Sequence, residues 1–69
     1  MVPPYQQRVI TEREELAKKL ESLLAFLNGP VAMTLPNAEH ELLLSQRAAM
    51  MQYLDALDLR IALWGRKTA

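Results

Sequence analysis

Apolar residues recur along the first third of the chain at helical intervals. Val9, Leu16, Leu20, Leu23 and Leu27 are separated by seven, four, three and four positions, which places them on one face of an α-helix. Ile10, Ala17, Leu24 and Phe26 form a flanking stripe. The pattern predicts a helix from about Pro4 to Leu27. Proline suits the first helical position, where its missing N–H would be unpaired anyway. The run Thr11-Glu12-Arg13-Glu14 fits a capping box and offers a later start. Gln6, Gln7 and Arg8 are good helix formers, so one continuous helix is the favoured reading. Glu14 with Lys18 and Glu15 with Lys19 are i,i+4 pairs in the favourable order on a solvated face.

Asn28-Gly29-Pro30 ends this helix. Asn or Gly can take a left-handed C-cap, and proline cannot continue the hydrogen-bond ladder. The connection runs over about 28–34, with Thr34 or Leu35 preceding a second helix and Pro36 in its first turn. That helix should span about 36–64. Its seam is Leu43, Met50, Leu54, Leu57, Ile61 and Trp64, with Arg47 in the same register. Leu42, Leu44, Ala48, Ala49, Met51, Ala56, Leu59 and Leu63 spread apolar surface around the rest of the cylinder, and residues 65–69 form a short tail. A short connection makes the two helices antiparallel neighbours. The expected fold is all-α: a single helical-hairpin domain over 1–69. One partner helix covers only one stripe, so the hairpin is expected to assemble into a homo-oligomeric bundle.

Composition sharpens this picture. The chain has 69 residues, no Cys and 51% apolar residues. No disulfide or thiolate metal site can staple so small a domain, and association is the remaining way to complete its core. The formal net charge is zero, which argues against a general grip on DNA or RNA, because such proteins carry a basic excess. The segment Met1-Val2-Pro3-Pro4-Tyr5 reads as no signal peptide, and no apolar run approaches the roughly 20 residues that span a bilayer.

The catalytic inventory is thin. With one His, two Ser and no Cys, a nucleophile–base–acid constellation has little to draw on. His40, beside Glu39 and Glu41, reads as a surface residue, and no metal or cofactor motif is present. An enzyme is not expected. Met50, Tyr53 and Trp64 read as packing residues. Arg13 and Arg47 occupy positions the seam would otherwise fill. Each needs a carboxylate or ligand partner if buried, or else the helices rotate and the guanidinium snorkels outward. Tyr5, Arg8, Arg60, Arg66 and Lys67 gather at the open end of the hairpin. An aromatic face beside cations is what a nucleotide requires, since the ring stacks on a base and the cations hold phosphate.

The segment Pro4-Tyr5-Gln6-Gln7-Arg8-Val9, followed by Glu12, Leu16, Lys19, Leu20, Leu23 and Phe26, carries a resemblance that the second helix continues with Leu43, Leu44, Gln46, Met50, Tyr53, Leu57, Arg60 and Ile61. Together they resemble the small phage proteins that defeat CBASS immunity by sequestering cyclic oligonucleotides, whose helical hairpin is shared with phage anti-Thoeris sponge proteins. The resemblance spans nearly the whole chain. It implies a homohexamer that acts in the cytoplasm of the infected bacterium and binds cyclic di- and trinucleotides, such as 3′,3′-cyclic GMP-AMP, without cleaving them. It implies Lys19 as a phosphate contact and Arg60 as part of a second, trinucleotide site. Tyr5, the one aromatic of the N-terminal segment, takes base stacking, with Arg8 nearby. On one helix Tyr5 and Lys19 stand roughly 21 Å apart, about twice the width of a cyclic dinucleotide. An antiparallel second protomer could bring its own Tyr5 to the first protomer's Lys19. The competing expectation, resting on apolar content, is a non-catalytic adaptor bundle that binds a protein partner.

Overall fold

The computed structural model describes the backbone of residues 2–66 and the side chains of residues 2–64. The described residues form two helices and a short 3₁₀ turn: α1 over Pro4–Leu27, the turn over Ala32–Thr34, and α2 over Asn37–Arg66. α1 runs unbroken through Thr11, so the capping-box residues lie within the helix. Pro3 precedes the first turn and its carbonyl accepts the N–H groups of both Gln6 and Gln7 at 3.0 Å. This satisfies two of the donors that every helix N-terminus leaves open.

The expected left-handed cap after α1 does not form. No described residue has positive φ, and Asn28 stays near helical geometry at φ −86° and ψ −6°. Its N–H bonds to Leu24 O, and that of Gly29 bonds to Phe26 O, each at 3.1 Å. The helix end tightens into a 3₁₀-like turn instead of swinging out at one residue. The reversal is then spread over the following segment. There Thr34 donates to Val31 O through its hydroxyl at 2.7 Å and its N–H at 3.0 Å. Leu35 is extended, with ψ 149°, as a residue before proline prefers. Pro36 stands just outside α2 and its carbonyl accepts the His40 N–H at 3.0 Å.

Two contacts set the antiparallel register. Tyr5 meets Trp64 at the open end, and Arg13 meets Asp58 further along. Equal rise along both helices then puts Leu20 opposite Met50 and Leu27 opposite Leu43. The core is the seam read from the apolar pattern. Val9, Leu16 and Leu57 form its centre, with Met50, Leu54, Ile61 and Trp64 packed against them. Leu20 is also buried. Ala32, 1% exposed, is buried in the 3₁₀ turn; the helical periodicity did not reach this connecting residue.

The remainder is thinly covered. Leu42, Leu59, Leu63 and Met51 on α2 are exposed, and so is Met33 within the 3₁₀ turn. The molecule is a rod of 50 × 16 × 15 Å with a radius of gyration of 15.8 Å, against about 11 Å for a compact chain of this length. Its accessible surface is 5489 Å², where a compact monomer of this mass exposes about 4,400 Å². Among the described residues no helix is long and apolar enough to cross a membrane.

Candidate functional site

Successive helical residues turn by about 100°, so residues seven apart fall on nearly one line. On α1, Tyr5, Glu12, Lys19 and Phe26 form such a line, with Arg8 close beside it. On α2, Gln46, Tyr53 and Arg60 form another. Arg13 lies on the other side of the α1 seam from Lys19, and Asp58 lies on the other side of the α2 seam from Tyr53 and Arg60. Because Arg13 and Asp58 meet, the two heptad lines share the opposite flank of the hairpin. That flank carries all four residues singled out as nucleotide contacts: Tyr5, Arg8, Lys19 and Arg60.

Their positions along the rod differ. Tyr5, Arg8 and Arg60 cluster toward the open end, and Lys19 stands farther along α1. The hairpin gathers the first three and leaves Lys19 separate. Arg66 and Lys67, expected at the same end, lie outside the residues whose side chains are described.

Tyr5 is held from two sides. Its ring packs edge-to-face with Trp64 at a centroid distance of 6.1 Å and an interplanar angle of 83°. Its hydroxyl accepts from Gln6 Nε2 at 3.2 Å. Even so, 49% of the residue is exposed. A T-shaped aromatic pair fixes ring orientation while leaving surface available.

Among the described residues the only ion pair is Arg13 with Asp58, Nε to Oδ1 at 2.7 Å. The aspartate, through its hydrogen bond first and its charge second, raises the Arg13 guanidinium above its ordinary value. Arg13 combines the two readings: its side chain is 39% exposed, as the outward reading expects, and at the surface it meets a carboxylate. Arg47 is half-buried and has no such partner among the described residues. No buried side-chain nitrogen or oxygen is left unsatisfied there, so its guanidinium reaches solvent. Arg8, Lys19 and Arg60 are exposed and have no carboxylate within salt-bridge distance among the described residues. Their positive charge is available to an outside anion.

The closed end differs in character. All eight Lys and Arg residues fall within 8–19 or 47–67, while 20–46 contains Glu21, Glu39 and Glu41 without any cation. A shallow depression of about 250 Å³ lies there, lined by Ala32, Met33, Leu35, Asn37 and His40. Among the described residues no group of three His, Cys, Asp or Glu converges as metal ligands do.

Sequence reasoning gave Tyr53 a packing role, yet it is 45% exposed and lies on the cationic flank. The signal was present in its heptad spacing from Gln46 and Arg60. The pairing of Arg13 with Asp58 could not be read from either helix alone, because it depends on the register between them.

The family model described as Sequestin matches residues 3–63, nearly all of the chain. A relative from Enterobacteria phage T4, described as an uncharacterized 7.5 kDa protein in the denB-rIIB intergenic region, is 41% identical over 58 residues. The alignment covers 84% of this chain and 91% of the relative. No solved structure matches the chain significantly.

Proposed function

The chain belongs to the Sequestin family, and from that premise we propose that it is a phage anti-defence protein that sequesters cyclic di- and trinucleotide messengers in the host cytoplasm without turning them over. Free messenger falls, and the CBASS effector it would activate stays silent. The observation that carries this reading is the flank on which Arg8, Lys19 and Arg60 stand without carboxylate partners beside exposed tyrosine. A few preset cations suffice for two or three phosphates, whereas a nucleic-acid polymer wants a basic stripe. Rigid helices presenting those donors lower the ordering cost of binding.

The working form is a homo-oligomer, with a hexamer as the specific expectation. The rod exposes about 1,000 Å² more than a compact monomer of its mass, comparable to the ~800 Å² that each partner buries in a standard interface. The distribution of charge favours antiparallel neighbours, which set the cation-free end of one rod against the cation-bearing part of the next. Such a neighbour brings its Tyr5 toward the first protomer's Lys19, so the dinucleotide pocket is composite. Arg60 serves a separate trinucleotide site.

The test is retention and release. The protein is mixed with 3′,3′-cyclic GMP-AMP, freed of unbound nucleotide, heat-denatured, and the supernatant chromatographed. Intact nucleotide is expected. Degraded product would identify an enzyme, and no retention across a panel of cyclic di- and trinucleotides would overturn the reading. Light scattering that reports a stable monomer would remove the composite pocket.

The exposed Leu42, Leu59 and Leu63 support a second reading, an adaptor bundle that binds a protein partner. It predicts that Lys19→Ala and Tyr5→Ala leave function intact while substitutions at Leu23 or Leu57 abolish it.

A further inference from the structure

Tyr53 lies one heptad before Arg60 and one after Gln46, on the flank that carries Lys19. The register that joins Tyr5 to Trp64 and Arg13 to Asp58 places Tyr53 and Lys19 within about 5 Å of each other along the hairpin axis. They border the same lateral groove between the helices, one from each side. Tyr53 is 45% exposed. Among the described residues it makes no hydrogen bond through its side chain and stacks on no other ring. Its neighbour Leu54 turns inward to the core cluster, so Tyr53 is not needed to close the seam. Lys19 is likewise exposed and has no carboxylate partner among the described residues.

We infer that Tyr53 and Lys19 of one protomer form a base-and-phosphate subsite for a nucleotide, with the Tyr53 ring stacking on the base and the Lys19 ammonium holding the adjoining phosphate. A base and its own phosphate are held in one nucleotide, and two residues at nearly the same level of one hairpin are placed so that a single ligand can reach both. The separation of Tyr5 from Lys19 does not permit this. Tyr53 is thereby the aromatic half of the Lys19 site supplied in cis, and a neighbouring protomer's Tyr5 covers the far side of the same ligand. This inference rests on the sequestering function proposed above.

The experiment compares the wild-type protein with Tyr53→Phe and Tyr53→Leu, by calorimetric titration with 3′,3′-cyclic GMP-AMP and the other cyclic di- and trinucleotides of the panel. Phe keeps the π-face and Leu keeps apolar bulk without it. Aromatic stacking on a base is worth roughly 5- to 150-fold in affinity. Tyr53→Leu should therefore lose about tenfold or more, and Tyr53→Phe should stay within about twofold of wild type. Light scattering and thermal melting should be the same for all three. Equal affinity of wild type and Tyr53→Leu would overturn the inference and leave the function standing. Loss of affinity together with a changed oligomeric state would assign Tyr53 to subunit packing and overturn it as well. A wild-type protein that binds no member of the panel would overturn the function, and this inference with it.

Discussion

The two flanks of the hairpin are built from similar materials and use them in opposite ways. On one, Arg13 reaches across to Asp58 and the positive charge is consumed within the molecule. On the other, Arg8, Lys19 and Arg60 share a surface with Glu12, yet among the described residues none is in salt-bridge contact. Composition does not distinguish the flanks; register does. Asp58 lies at the level of Arg13 and completes a hydrogen bond, whereas helical rise puts Tyr53, and no carboxylate in salt-bridge contact, near the level of Lys19. A cation is paired within the molecule or left without a carboxylate partner according to what the facing helix places beside it. Net charge, which is zero over the chain, conceals this division.

Removing the support beneath both flanks has the largest expected effect. Leu57 is 1% exposed at the centre of the seam, and Leu57→Ala should cost about 2–5 kcal/mol, read as a fall in the denaturation midpoint. In so small a domain this should also abolish nucleotide retention. Lys19→Ala touches only the unpaired flank. Nucleotide affinity should fall by about tenfold or more, since a hydrogen bond to a charged group is worth about 1.5–3 kcal/mol. Circular dichroism and melting should be unchanged, and equal affinity would remove the distinction between the flanks. Arg13→Ala touches only the clasped flank. A small loss of thermal stability is expected, greatest at low salt, with nucleotide affinity unaltered, because exposed ion pairs contribute little and are screened. A large loss of nucleotide affinity in this variant would show that the clasp also serves the ligand. Gly29→Ala touches neither flank. The added Cβ would meet Phe26 O at 3.4 Å and Ala25 O at 3.5 Å, ordinary contacts, and φ there is not positive. The variant should be more stable by about 0.4–1 kcal/mol through a less flexible unfolded chain, measured by chemical denaturation.

The hairpin was legible because helical periodicity is a local signal. Val9, Leu16, Leu20 and Leu57 each repeat at intervals a single helix can enforce, and each is buried. The turn was less legible. Ala32 is an alanine outside any periodic run, and it is buried because the chain reverses over a 3₁₀ turn where a left-handed cap had been expected. Arg13 was visible as an anomaly in the seam but its partner was not, since Asp58 is distant in sequence. Tyr53, expected to pack, is 45% exposed in the single chain for the converse reason. An aromatic residue next to seam leucines looks like core until the angle between its side and theirs is counted. The helices could be read one at a time, and the candidate site could not.

The connection between the helices has a consequence in time. One short turn over residues 28–36 is all that must close before the two apolar faces meet, so nearly every interaction in the chain is local or one reversal away. Helical topologies of this kind fold in microseconds to milliseconds. A ribosome adding about 5–20 residues per second completes the chain in seconds. A protein that removes a messenger without turnover must accumulate in step with the messenger it faces. If the sequestering function proposed above holds, that accumulation would be set by translation, because each finished chain folds far faster than the ribosome makes it.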